Sequence, residues 1–186
     1  RRSYASNRKG IKMIDFGINA QEENKELLQY YWFESAFSPA QCKEIIKIGK
    51  SHPQEGGQIF ADNSEKEDTE KNETRNSTVR WIDHQDPRLS WLTDELGRMS
   101  IEANKELFQL DLYGFTEKLQ FTEYEGKGSH YDWHPDIGPS MNKRKLSIVI
   151  QLSDEEDYEG GGLVINTGNI VTPSKEQGSV ILFPSF

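Results

Sequence analysis

The stretch Leu146-Ser-Ile-Val-Ile-Gln-Leu152 decides the prediction of the fold. It holds three consecutive β-branched residues and neither glycine nor proline, and such side chains pack well on the pleated surface of a sheet. We therefore predict a central β-strand. The turn Gly160-Gly-Gly162 follows, and then come three shorter predicted strands, at residues 163–166, 170–172 and 179–183.

Helical patterns dominate the earlier part of the chain. Ser38-Pro39 has the form of an N-cap followed by a first helical residue, which predicts a helix over residues 39–50. Asp86-Pro87 repeats this signature. Apolar residues then recur at a spacing of three and four, which predicts a longer helix over residues 87–107.

Two further strands are predicted ahead of the central one. Residues 78–82 form a short strand candidate, and residues 119–124 alternate as strands do. A chain with helices first and closely spaced strands later predicts an α+β fold, with a jelly-roll or cupin-like barrel in its second half.

Length, charge and cysteine content limit the classes of protein that fit. The 186 residues suffice for one domain with a hydrophobic core, and no apolar run has the roughly 18–20 residues of a membrane span. The net charge of −9 argues against a broad nucleic-acid-binding face. Cys42 is the only cysteine, which fits a reducing compartment such as the cytoplasm, and it is predicted to pack in a helix.

The charge is uneven along the chain. Residues 1–12 carry five basic side chains and no acid, so we interpret them as a basic N-terminal extension or an added segment, and residues 13–186 as one domain. Residues 54–77 are predicted to form a loop, within which residues 55–73 carry seven acids against two lysines. A connection of this length is either a solvated or disordered loop or a functional lid. As a lid, it would favour a basic peptide.

Three of the four histidines begin a His-x-Asp triplet, at His84, His130 and His134. On a strand, residues i and i+2 point the same way and lie roughly 6.6 Å apart, so a His and a carboxylate at this spacing can hold one ion, as in the 2-His-1-carboxylate site of non-haem iron(II). Asp86 is better explained as the cap of the long helix. His130 and His134 would lie roughly 13 Å apart on a strand, so one of these two pairs must be chosen.

The surroundings of His134 favour the pair His134/Asp136. The sequence Tyr124-Glu-Gly-Lys-Gly-Ser-His-Tyr131-Asp-Trp-His134-Pro-Asp136 resembles the Y-x-x-G-x-x-Y-x-x-H-x-D signature of prolyl 4-hydroxylase-like oxygenases, with one extra residue ahead of the second tyrosine. Blocks at residues 32–39, 75–81, 144–153, 157–164 and 178–185 are also similar to that family and follow the same order. The resemblance covers nearly all of residues 30–186.

This resemblance implies a double-stranded β-helix with N-terminal helices packed on it. It also implies Fe(II) as cofactor, 2-oxoglutarate as cosubstrate and L-ascorbic acid as an accessory. The implied reaction hydroxylates a peptidyl residue, proline by analogy, while 2-oxoglutarate and O2 become succinate and CO2. Hydroxylation of a free small molecule is the alternative. The expected partner is a peptide, protein or small-molecule substrate, with no nucleic acid and no membrane.

Residue by residue, the resemblance implies that His134 and Asp136 bind iron. Tyr124 matches a tyrosine that bonds the tail of 2-oxoglutarate, and Tyr131 and Arg144 match positions near the substrate. The alternatives are barrel packing for the two tyrosines and Gln151, and a solvated surface charge for Arg144. Trp133 would point away from both ligands on a strand, so we expect it to pack in the core. Two further residues are expected to line the cosubstrate pocket: Ser147 and Gln151.

The family places a second iron histidine, and then an Arg or Lys that binds 2-oxoglutarate, beyond the position of Phe186. We therefore expect the domain to be truncated before its last strands. A non-catalytic cupin-like binding module is the alternative from another class, because one metal ligand is missing. A zinc or manganese cupin enzyme is a third possibility.

Overall fold

A computed structural model describes residues 30–56, 75–115, 117–137, 143–166 and 168–186. Within these ranges the chain combines helices with antiparallel strands, which confirms the mixed helix-and-strand prediction. The basic segment 1–12 and residues 57–74 of the acidic loop lie outside the described residues, so the predictions for them remain predictions.

The strands form small antiparallel sheets. In chain order they are β1 Tyr31–Phe33, β2 Glu55–Gly56, β3 Arg75–Asn76, β4 Thr78–Ile82, β5 Leu119–Glu123, β6 His130–Tyr131, β7 Leu146–Ile150, β8 Ile165–Asn166, β9 Ile170–Val171 and β10 Val180–Pro184. One three-stranded sheet has the order β1-β10-β7 and another the order β2-β4-β5, while β3 pairs with β6 and β8 with β9. The strands predicted at residues 78–82, 119–124, 146–152, 163–166, 170–172 and 179–183 are all present, although several are shorter than predicted.

Helix α1 spans Pro39–Lys50, as predicted, and its start is capped. The Ser38 hydroxyl accepts a hydrogen bond from the Gln41 N–H, and the Gln41 side chain accepts one from the Ser38 N–H at 2.9 Å. This capping box satisfies two amide donors that the first turn leaves unpaired. Near its other end, a Cβ on Gly49 would lie 2.5 Å from the ring of Phe121, so only glycine lets the helix pack this closely against β5.

Helix α2 spans Ser90–Ala103 and lies within a longer helical segment. A 3₁₀ turn, Pro87–Leu89, precedes it, and a π-helical turn, Asn104–Phe108, follows it. The Asp86 carboxylate accepts a hydrogen bond from the Arg88 N–H at 2.9 Å, as a cap should. The predicted helix over residues 87–107 is therefore helical throughout, with different hydrogen bonding at its two ends.

The helices and the two three-stranded sheets share one hydrophobic core. It contains Phe37, Leu92, Phe121 and Leu182, and Cys42 is fully buried in it, as predicted. Among the described residues, no helix combines the length and apolarity that crossing a membrane requires. The chain leaves the short pair β3–β6 at Tyr131 and runs directly into the candidate site.

Candidate functional site

The segment that carries the predicted metal ligands is not a strand. Strand β6 ends at Tyr131, and residues 132–137 have no strand pairing. The prediction that His134 and Asp136 share one side of a strand is therefore wrong. Pro135 between them has no N–H to donate to a neighbouring strand. The expected core position of Trp133 is wrong for the same reason, because without strand alternation its side chain is 58% exposed.

His134 and Asp136 nevertheless meet. The Nε2 atom of His134 lies 3.3 Å from Oδ1 of Asp136, and Nδ1 lies 2.6 Å from the carbonyl oxygen of Asp132. In the neutral imidazole, a proton on Nδ1 donates to that carbonyl and leaves the Nε2 lone pair directed at Asp136. His134 Nε2 and Asp136 Oδ1 are therefore close enough to bind the same metal ion.

The electrostatics of this pair favour opposite charges when no metal is present. Loss of water contact lowers the pKa of His134, but hydrogen bonds to Asp136 and to the Asp132 carbonyl outweigh it and raise the pKa above its ordinary value. Burial raises the pKa of Asp136, yet hydrogen bonds from His134 and Ser147 hold it below the usual range. A metal ion that replaces the proton of His134 would find an ionised carboxylate beside it.

Imidazole nitrogen and carboxylate oxygen are ligands that suit non-haem iron(II), and a ligating histidine usually donates its other N–H to a carbonyl or carboxylate. His134 and Asp136 fit this description. The described ranges contain no group of three or more histidine, cysteine, aspartate or glutamate residues that could hold a metal. The exposed His130 turns its Nδ1 to the carbonyl of Gly128 at 2.8 Å.

Tyr131 and Arg75 form a layered contact with His134. The rings of Tyr131 and His134 stack with centroids 3.5 Å apart and planes 15° apart. The guanidinium carbon of Arg75 lies 4.3 Å from the centroid of the Tyr131 ring, because β3 and β6 place these two residues opposite each other. The sequence interpretation missed Arg75 as a site residue. Its only signal was its position in the matching block 75–81.

Ser147, which was predicted to line the cosubstrate pocket, bonds to the Asp136 carboxylate. It is buried in β7, it donates to Asp136, and its hydroxyl lies 2.9 Å from that of Ser185. Ser185 also escaped the sequence interpretation, since its pairing with Ser147 depends on β10 lying beside β7. Gln151, the other predicted pocket residue, lies just beyond β7, where its backbone bonds to Ser179 and Gly178.

Tyr124 follows β5 and belongs to the same group of side chains. It is 51% exposed. Burial of its hydroxyl raises its pKa, and the charges of Arg75 and Asp136 act on it as well. The structure thus brings Tyr124, Tyr131, His134, Asp136 and Ser147 together in one region.

Arg144 holds the backbone next to the metal pair. Its Nη1 donates to the carbonyl oxygen of Asp136 at 2.7 Å, and its Nε donates to Glu117 at 3.1 Å. A second contact, from Nη2 to the same carboxylate, makes the ion pair bidentate. The interpretation of Arg144 as a solvated surface charge is therefore wrong. Glu117 was not anticipated, because the contact joins residues that are distant in sequence.

Comparison with known proteins gives a consistent result. Residues 119–186 match the 2OG-Fe(II) oxygenase superfamily. A PKHD-type hydroxylase of Synechococcus sp. (strain CC9605) is 46% identical over 61 residues, which are 31% of this chain and 28% of that protein. A PKHD-type hydroxylase of Nitrosomonas europaea is 33% identical over 73 residues, 35% of this chain and 32% of that protein. The matches thus span about a third of these relatives.

Two solved structures share the fold over most of the chain. A Trichoplax adhaerens prolyl hydroxylase, in complex with a hypoxia inducible factor oxygen degradation domain peptide fragment, superposes with a TM-score of 0.64 at 18% identity, covering 84% of this chain and 73% of that one. A prolyl-4-hydroxylase of Pseudomonas putida gives 0.62 at 15% identity, covering 84% and 80%. At such identities the likeness concerns the fold.

Proposed function

We propose that the protein is a prolyl 4-hydroxylase-like, 2-oxoglutarate-dependent dioxygenase, because residues 119–186 match the 2OG-Fe(II) oxygenase superfamily and the fold resembles that of two solved prolyl hydroxylases. Its sheets would belong to a double-stranded β-helix. The observation that carries this proposal is the convergence of His134 Nε2 and Asp136 Oδ1. These two atoms would hold Fe(II). When bound together with 2-oxoglutarate, the iron supplies the activation of O2 that couples loss of CO2 to hydroxylation.

The surrounding residues have complementary parts in this proposal. Ser147 and the backbone contact from Arg144 keep the Asp136 carboxylate in place. Tyr124, whose hydroxyl is neutral at about pH 7 as in an ordinary tyrosine and whose pKa is raised further by loss of water contact, would donate a hydrogen bond to the cosubstrate. Gln151 would lie farther along the same pocket. Tyr131 and the exposed Trp133 flank the ligand segment, where the substrate would approach.

The proposed substrate is a peptidyl residue, with proline as the first candidate. Support comes from the solved prolyl hydroxylase that holds a peptide, whose fold this chain shares. Hydroxylation of a free small molecule is the alternative within the same chemistry. L-Ascorbic acid would act as an accessory reductant that maintains the iron as Fe(II).

The test is succinate release by the full-length protein with Fe(II), 2-oxoglutarate and a panel of proline-containing peptides, with free amino acids as a second panel. We expect release that depends on Fe(II), increases with one substrate class and disappears in Asp136→Asn. The matched control is Asp94→Asn on α2, outside the site, which should keep full activity. Release that survives in Asp136→Asn would contradict the proposal.

A non-catalytic metal-binding module is the second candidate. It is favoured by the finding that the described residues supply two metal ligands rather than three. Binding of Fe(II) and 2-oxoglutarate, measured by calorimetry, without succinate release under any substrate condition would select this candidate. Metal analysis of the purified protein would identify a zinc or manganese protein instead.

A further inference from the structure

Arg75 is a buried cation beside the candidate metal pair, and the proposed chemistry gives it no task. Arg75 is 5% exposed, and its Nε donates to the Ser77 hydroxyl at 2.7 Å. Burying a guanidinium is costly unless its interactions offset the loss of water. The contacts that Arg75 makes in this position must therefore offset the cost of its burial.

The contacts of Arg75 lead to His134 through a single ring. The guanidinium carbon lies 4.3 Å from the centroid of Tyr131, and the imidazole of His134 stacks on the same ring at 3.5 Å. One face of a phenol ring cannot accommodate both groups at these distances, so they occupy opposite faces. A planar guanidinium stacks well on an aromatic face, and the ring quadrupole attracts its charge.

This stack fixes a degree of freedom that the hydrogen bonds leave open. Hydrogen bonds to the Asp132 carbonyl and to Asp136 set the directions in which Nδ1 and Nε2 of His134 point, but the ring can still rotate about the line that joins these two atoms. His134 also lies in a segment without strand pairing, so the backbone ladder gives it no support. The flat contact with Tyr131 defines the plane of the imidazole.

We propose that Arg75 is a positioning residue, which acts through the ring of Tyr131 to hold the imidazole plane of His134 so that Nε2 faces Asp136. The inference rests on the proposed function only for the identity of His134 as a metal ligand. It gives Tyr131 a role in supporting the metal ligand, in addition to any contact with substrate.

The experiment follows the ring signals of His134 by ¹H–¹³C NMR in the metal-free protein, assigned with His134→Gln, together with Co(II) affinity. Arg75→Lys keeps the charge but removes the planar group, and Tyr131→Leu removes the ring. We expect both to shift the His134 signals downfield, out of the ring current, and to lower Co(II) affinity roughly 10- to 100-fold, as loss of outer-shell support does. Tyr131→Phe keeps the ring but removes the hydroxyl to which Arg75 also hydrogen-bonds, so it should shift the His134 signals and lower the affinity less than Tyr131→Leu does.

Arg80→Lys is the matched control, since Arg80 is another strand arginine with little solvent exposure but pairs with Glu123. If Arg75 acts through Tyr131, the double variant Arg75→Lys/Tyr131→Leu should bind Co(II) no more weakly than Tyr131→Leu alone. Unchanged His134 signals in Arg75→Lys, or additive losses in the double variant, would overturn the inference.

Ser77→Ala removes a partner of Arg75 without removing its charge, and it covers the case in which Arg75→Lys does not fold. It should shift the His134 signals in the same direction by a smaller amount, and unchanged signals would count against the inference. These readouts need no turnover. A protein that releases no succinate but shows the expected NMR shifts would contradict the proposed function and leave the positioning role standing.

Discussion

His134 Nε2 and Asp136 Oδ1 lie 3.3 Å apart across Pro135, in a segment that belongs to no strand. Their approach depends on support from outside the segment. Ser147 of β7 holds the carboxylate, and Arg144 holds the Asp136 carbonyl oxygen. The pair is therefore arranged by its neighbours before a metal binds, and each neighbour can be tested separately.

Metal affinity can decide between the His130-x-Asp132 and His134-x-Asp136 triplets. His134→Ala should abolish Co(II) binding measured by calorimetry, since it removes one of two converging ligands. His130→Ala should change the affinity by less than about twofold, because the His130 ring turns to the Gly128 carbonyl and the usual large losses follow from changes in the ligands or their direct supports. Equal losses in the two variants would reject His134/Asp136 as the metal pair.

The ion pair of Glu117 with Arg144 should matter for metal binding. Glu117→Gln removes the charge that holds the guanidinium, so the contact from Arg144 to the Asp136 carbonyl should loosen and Co(II) affinity should fall roughly tenfold. Glu95→Gln breaks another Glu–Arg pair, on the exposed side of α2, and should have no effect. If Glu117→Gln instead raises KM for the substrate at unchanged metal affinity, Arg144 contacts substrate directly.

Alanine substitutions at two glycines should change the free energy of unfolding in opposite directions. Gly178 has φ +84°, and a Cβ there would lie 1.9 Å from the carbonyl oxygen of Phe37. We expect Gly178→Ala to lower the free energy of unfolding by more than about 3 kcal/mol, from backbone strain and a backbone clash. Gly97→Ala, in α2 with its nearest neighbour Phe115 at 4.0 Å, should raise it by about 0.5–1 kcal/mol. Urea denaturation measures both changes. Changes of the same sign in the two variants would contradict the packing described.

The cap of the Pro87–Leu89 turn should be sensitive to acid. Hydrogen bonds from the Arg88 side chain and backbone hold the pKa of Asp86 at about 2, below its ordinary value. A carboxylate with a lowered folded-state pKa adds stability above its unfolded pKa of about 4, and this contribution disappears as the pH falls through about 2. The difference in unfolding free energy between the wild-type chain and Asp86→Asn should therefore shrink between pH 4 and pH 2. A constant difference over this range would contradict the assignment.

Local signals account for the parts of the fold that the sequence predicted well. Helix α1 begins and ends where Ser38-Pro39 and the apolar spacing indicate, because a cap and a helical face are encoded within a few residues. Strand β4 likewise follows from its own alternating residues. The predicted helix over residues 87–107 needed correction only in its hydrogen bonding, since the pattern of buried side chains does not separate α-helical from π-helical turns.

The candidate site could be predicted only in part. The types and spacing of His134 and Asp136 are readable from the sequence, but their geometry is not, because an unpaired segment around Pro135 replaces the expected strand. Arg75 and Glu117 were missed because their contacts with Tyr131 and Arg144 join distant parts of the chain. The error for Trp133 has the same origin as that for the ligands, since strand alternation was assumed through this unpaired segment.

Strand β10 lies between β1 and β7, so the first and last described strands are neighbours in one sheet. Pairing of such distant segments is typical of late steps in folding, because a long loop must close before the contacts form. Ser185 sits beside the end of β10 and contacts Ser147, which in turn bonds to Asp136. We therefore expect the metal pair to gain its final support only when β10 has paired with β1 and β7. A peptide with the sequence of residues 124–136 would carry both ligands without the arrangement that brings them together.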